Sequence, residues 1–196
     1  QEEKRQLERQ QRLKQRGARC AFLVGNSNYT HAGVLKNPIR DIKLMTHKLE
    51  NLGFKVTTVL DASHEEMEEA VNSYALMLQD LGDSVKCSVF YYAGHGIQAN
   101  GINYFVPIGA KLQSETDIRH KCMSISYTLE KISEMSDKQC VRITFIDACR
   151  NELNTRGMSS VMRGNLPDGL ARVHAPTGNF LLSSTAEGKK AWDEID

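Results

Sequence analysis

The sequence predicts an α/β domain of three layers, a mainly parallel sheet with helices on both faces. Three observations carry this. Short apolar or β-branched runs recur along the chain and end on Gly, Asn or Asp, as buried strands do. Amphipathic segments at near-helical spacing stand between them, and the helices carry start and stop signals. Strands that alternate with helices in this way pack as a parallel sheet covered on both sides.

Taken in order, residues 1–16 (QEEKRQLERQQRLKQR) hold only Leu7 and Leu13 as apolar residues and read as a solvated lead-in helix or linker. ARCAFLVGN, residues 18–26, is a continuous apolar run closed by Gly25 and Asn26, hence a buried strand. A loop containing NSNYTHAG follows. From Ile39 the apolar positions Ile42, Leu44, Met45, Leu49 and Leu52 fall on helical spacing, and Gly53 ends that helix. FKVTTVLD, residues 54–61, is a second strand. Ser63 with Glu66 forms a capping box that opens a helix through Met67, Val71, Tyr74, Ala75, Met77 and Leu78.

SVKCSVFYYAGHG, residues 84–96, is a third strand expected to end in a glycine-bounded loop, followed by a surface segment with NYFVP. SISYTLEKISEMS is a helix capped by Ser124 or Ser126, and QCVRITFIDACR, residues 139–150, is the fourth strand. The polar stretch 151–178 is too long for an ordinary connection and is expected to be functional or mobile. NFLLSST, residues 179–185, is the fifth strand. A length of 196 residues fits one domain, 17–196, behind the lead-in segment. A start on Gln1 suggests a region upstream.

Composition excludes several classes. Lys+Arg 25 against Asp+Glu 24 leaves a net charge of +1, so nothing points to nucleic acid. No apolar run reaches the roughly 20 residues that span a bilayer, and no membrane partner is expected. Five cysteines without a C-x-x-C pair fit neither a disulfide framework nor a structural zinc site, and a reducing, cytoplasmic location is expected. No compact acidic cluster suggests a metal, so no cofactor is expected, calcium included.

Chemistry points to two strand ends. Ligands of open α/β sheets bind beyond the carboxyl ends of the strands. The third strand delivers His95 in AGHG and the fourth delivers Cys149 in DACR. Alone, each is most simply a core residue. Together, at matching ends of neighbouring strands, they form a nucleophile and base constellation for acyl transfer to sulfur. The Gly96 and Cys149 amides are the candidate oxyanion donors. Cys20, Cys87 and Cys140 read as core, Cys122 as a loop residue that is exposed, and the remaining histidines take no role.

These motifs resemble a known family. IDACRN is similar to the caspase signature Q-A-C-[RQG]-G, whose histidine stands about 50 residues upstream, as His95 does here. YYAGHG, IDACRN, LVGNSNY and LKNPIRD in this order look closest to paracaspases and their bacterial relatives, with metacaspases next, although the metacaspase D-x-C-x-S-G segment is not matched. The resemblance covers roughly residues 18 to 193 and implies a caspase-like fold and a cysteine endopeptidase.

It further implies cleavage after Arg, with Lys second, through an acidic S1 pocket of Asp41, Asp147 and Asp193, for which Glu194 is a substitute. Converging carboxylates suit a guanidinium in fork geometry. Such an enzyme would be able to cut itself after Arg150, Arg156, Arg163 or Arg172. Trp192 would wall the cleft or pack. The family's sheet has a sixth strand, for which this chain has no counterpart before Asp196, so the small part that completes the fold is expected as a partner, with a homodimer through that edge. The alternative is an inactive scaffold of the same fold that binds protein partners.

Overall fold

The computed structural model describes residues 17–149, 170–171, 173 and 176–184, with the side chain of Cys149 outside the description. The lead-in segment 1–16, most of the stretch 151–178 and residues 185–196 therefore lie outside it. The elements are β1 (Ala18–Gly25), α1 (Pro38–Asn51), β2 (Lys55–Leu60), α2 (His64–Leu81), β3 (Val85–Ala99), β4 (Ile102–Phe105), α3 (Glu115–Lys121), β5 (Met123–Ser124), α4 (Ile125–Met135), β6 (Val141–Cys149) and β7 (Asn179–Ser183). β2, β1, β3, β6 and β7 pair in that order, every pair parallel. The expected α/β class and all five expected parallel strands are present.

Alternation along the strands divides the interior into two cores. Phe22, Val24, Phe90, Tyr92, Ile146 and Ala148 face α2 and α4 through Met67, Tyr74, Leu78 and Leu129. Ala21, Leu23, Val89, Tyr91 and Ala93 face Ile42 and Leu49 of α1. Helices on both faces give the three layers.

Local signals explain the helix ends. α1 starts with Pro38 in its first turn, where a missing N–H costs nothing. It stops at Gly53, whose φ of +80° suits glycine, while Phe54 N–H donates to the Leu49 carbonyl at 3.0 Å. The Ser63 and Glu66 capping box forms as expected, with Ser63 N–H donating to Glu66 Oε2 at 2.8 Å. Ser124, not Ser126, caps α4.

Two expectations need correction. β3 does not end at AGHG but runs on to Ala99 and pairs antiparallel with β4. NYFVP is accordingly not a surface segment: Tyr104, Phe105 and Val106 are buried, and Phe105 stacks on Tyr92 with ring centroids 4.0 Å apart. Two bulky aromatics bury too much apolar area to stay at a surface when β3 offers a free edge beside them. The resulting hairpin, with β5 and α3, forms a third core around Ile97, Tyr104, Val106 and Ile118.

Candidate active site

The sheet brings the two motifs together by register. His95 of β3 and Cys149 of β6 are Cα partners in a parallel pair, and two residues earlier Ala93 is paired with Asp147. Neighbouring strands lie about 4.8 Å apart, so the two positions are backbone neighbours across the sheet.

Gly96 follows His95 and is paired with Phe105. Val106 N–H donates to the His95 carbonyl at 3.0 Å. Because an antiparallel ladder alternates its bonded pairs, the Gly96 N–H is turned away from β4. A Cβ at Gly96 would stand 2.9 Å from Ala148 Cβ, so only glycine fits between β3 and β6 here.

His95 is buried. Its Nε2 lies 2.7 Å from the Gly33 carbonyl, which can only accept, so Nε2 carries the proton and donates. In the neutral ring Nδ1 is then the basic nitrogen. The imidazole packs on Tyr29 with centroids 4.4 Å apart at 50°. The backbone of His95 closes a ring of hydrogen bonds: its N–H donates to Tyr29 Oη at 2.8 Å, and its carbonyl accepts from Tyr92 Oη at 2.8 Å. The two hydroxyls are 3.5 Å apart, a long contact. Burial pushes both phenols well above their ordinary range, so they stay neutral.

The loop that supplies Tyr29 and Gly33 is itself pinned. Asp61 Oδ1 accepts from the amides of Ser27 at 2.7 Å and Asn28 at 2.9 Å. Burial acts to raise the Asp61 carboxyl, but the bonds from Asn28 and Ser27 outweigh it and hold it below the usual carboxylate range. Asn26, fully buried, accepts from Ala62 N–H at 3.0 Å and donates to the Val106 carbonyl at 3.2 Å.

Asp41 sits in the first turn of α1, half-buried, and Asp147 is half-buried in β6. Burial raises the Tyr91 phenol first, and the negative fields of Asp147 and Asp41 raise it further, so both carboxylates act on one hydroxyl. Asp193, Glu194, Trp192, Arg150, Arg156, Arg163 and Arg172 lie outside the described residues.

A family model described as the caspase domain matches residues 18–196. The chain belongs to the caspase family. The mucosa-associated lymphoid tissue lymphoma translocation protein 1 of Homo sapiens is 31% identical over 132 residues, 67% of this chain and 15% of the relative. Its homolog in Mus musculus is 30% identical over 132 residues, again 67% of this chain and 15% of the relative. The chain thus spans well under a quarter of the curated relatives it matches. The caspase-like resemblance of the motifs is borne out for the family and the fold.

Within this caspase domain the four other thiols are buried or half-buried. Cys20 and Cys140 are buried and Cys87 is half-buried. Cys122, expected in an exposed loop, is buried at the end of α3 in the core around Ile118, and burial pushes its thiol up to about 12. Among the described residues no group of three or more His, Cys, Asp or Glu is placed to hold a metal ion, and no helix is long and apolar enough to cross a membrane.

Sequence reasoning missed Gly33, Tyr29, Tyr92, Asn26 and Asp61. The tyrosine and asparagine of LVGNSNY and the second tyrosine of YYAGHG were visible as motif residues, but nothing in one dimension says that they meet at His95. Gly33 acts through its carbonyl, which any residue carries, and so leaves no sequence signal.

Proposed function

We propose that this domain is the catalytic part of a cysteine endopeptidase of the paracaspase and metacaspase type, cutting peptide bonds after Arg, with Lys second. The observation that supports it best is the register pairing of His95 with Cys149 at the carboxyl ends of β3 and β6. The Gly33 carbonyl holds the imidazole in the tautomer whose Nδ1 accepts a proton. Nδ1 takes the Cys149 proton, and the thiolate attacks the scissile carbonyl carbon to form a C–S bond. The tetrahedral oxyanion is met by the Gly96 and Cys149 amides. Its collapse breaks the C–N bond, and the imidazolium passes the proton to the leaving amine. Water, deprotonated by His95, then attacks the thioester carbonyl, and collapse releases the acid and the thiol.

For specificity, Asp41 and Asp147 converge on Tyr91 from α1 and β6, and with Asp193 they would present carboxylates to a guanidinium in fork geometry. Substrates are thus proteins or peptides with a basic P1 residue, and the arginines at 150, 156, 163 and 172 are sites for self-processing. A small part adds a strand beyond β7, the outermost of the described strands, and a homodimer forms along the edge of the strand so added. A cytoplasmic location fits the unpaired structural thiols.

Covalent labelling of the full-length protein tests this reading. A peptide ending in an arginyl acyloxymethyl ketone should add its mass to the peptide bearing Cys149, and His95→Ala should suppress the reaction. A folded protein that takes no label from arginyl, lysyl or aspartyl probes would instead mark an inactive scaffold of the same fold.

A further inference from the structure

The residues that precede β7 reach back to the strand that carries His95. Leu170 is buried in the core it shares with Phe90, Phe105 and Ala148. A Cβ built on Gly96 would stand 2.9 Å from Ala148 Cβ, 3.3 Å from Leu170 Cδ2 and 3.6 Å from Leu170 Cδ1. The space that a side chain at Gly96 would take is thus filled by two others, one from β6 and one from a connection.

A connection that enters a core must have its backbone groups satisfied there. Asn103 of β4, itself buried, does this for the stretch at Leu170. Its Nδ2 donates to the Ala171 carbonyl at 2.7 Å, and its Oδ1 accepts the Ala171 N–H at 2.8 Å. One side-chain amide thereby meets both polar groups of one residue, as a paired strand would. Val173 packs against the same core. Nearer β7, buried Arg142 of β6 donates from Nη2 to the Thr177 carbonyl at 2.9 Å. Side chains of β4 and β6 therefore hold this stretch at Ala171 and at Thr177. Asn103 and Phe105 share a face of β4, and Phe105 is the Cα partner of Gly96. The contacts close a loop from Gly96 through Phe105, Asn103, Ala171 and Leu170 back to Gly96. Glycine has the most permissive backbone, so the aim of its amide depends on what is packed around it.

We infer that Leu170 is a positioning residue for the Gly96 amide, wedged against Gly96 and held there by the two hydrogen bonds between Asn103 and Ala171. The inference rests on the proposed role of that amide as an oxyanion donor and names what fixes its direction. Such donors act through preorganised geometry, which the groups around them must supply.

Three readouts on the full-length protein test it: turnover of an arginyl fluorogenic peptide, inhibition by a peptide argininal, and alkylation of Cys149 by iodoacetamide followed by mass spectrometry. The thiol adds across the aldehyde C=O to give a hemithioacetal whose oxygen occupies the oxyanion position. Alkylation displaces iodide at a saturated carbon and develops no such oxygen. Leu170→Ala should lower kcat by about ten-fold, part of the roughly 100-fold or more that follows loss of a whole donor. It should weaken argininal inhibition by a similar factor and leave KM and the alkylation rate at the parent values. Leu170→Met, of similar volume, should restore most of kcat. Asn103→Ala frees Ala171 and should act in the same direction as Leu170→Ala. A parent-like kcat in Leu170→Ala overturns the inference, as does a fall in alkylation that matches the fall in kcat, since that marks general loosening. Should Leu170→Ala not fold, a parent-like kcat in Asn103→Ala overturns it. A folded parent that turns over no peptide overturns the proposed function, and this inference with it.

Discussion

Tyr29→Phe isolates the hydrogen bond that holds His95 in place. The hydroxyl oxygen accepts the His95 N–H at 2.8 Å in a buried setting, and the phenyl ring that remains still packs on the imidazole. The substitution therefore leaves a buried donor unmade, which costs about 1 to 3 kcal/mol. For a domain of this size that lowers Tm by roughly 3 to 9 °C. Tyr92→Phe serves as the control. It removes one bond to the His95 carbonyl, but Val106 N–H still donates there at 3.0 Å, so its cost is nearer about 1 kcal/mol. Urea unfolding of both single variants and the double variant measures each cost and their coupling. A Tyr29→Phe protein as stable as the parent, or less affected than Tyr92→Phe, would refute the hydrogen-bond ring around His95.

Other substitutions probe the remaining parts. Gly94→Ala would place a Cβ 2.6 Å from Tyr29 Oη and 2.7 Å from Tyr92 Oη, so it should cost about 1 to 3 kcal/mol in urea unfolding and reduce turnover with it. Asn26→Ala strands the Ala62 N–H and leaves the Val106 carbonyl only the longer contact from Tyr92 Oη at 3.3 Å, and calorimetry should record a loss of about 1 to 3 kcal/mol. Asp61 has a lowered folded pKa, so its contribution is complete above the ordinary carboxyl value of 3.8 and is lost as pH falls through the lower folded value. Asp61→Asn should accordingly reduce stability at neutral pH and flatten the acid limb of a stability profile, and an unchanged limb would remove Asp61 as an anchor. Asp147→Ala should raise KM for arginyl peptides, with a loss in kcat/KM of at least about 30-fold, the lower end for stripping one partner from a buried charge pair.

The parallel sheet was legible because its signals are local. Continuous apolar runs, the Gly53 stop and the Ser63 and Glu66 box each act within a few residues, and each formed where expected. What escaped were features decided at long range. Whether AGHG ends a strand depends on a partner, and β4 becomes one only because Tyr104 and Phe105 find room against β3. α3 had a local signal, the Ser114 and Asp117 capping box, but its short run of seven residues has too little apolar periodicity to stand out. That His95 and Cys149 stand at matching ends of neighbouring strands was legible from the strand assignments. The groups around His95 were not, because a backbone carbonyl from Gly33 and the hydroxyls of Tyr29 and Tyr92 converge only after the loop following β1 folds over the strand ends.

The central claim is that His95 and Cys149 act together on peptides with a basic P1 residue. Matched fluorogenic peptides ending in Arg, Lys or Asp, incubated with the full-length protein and its Cys149→Ala form, test it most directly. The dyad and its acidic pocket should give rapid release from the arginyl peptide, slower release from the lysyl peptide, none from the aspartyl peptide, and no release in the variant. Equal release by the variant, a preference for Asp, or no cleavage by folded protein with its small part present would contradict it.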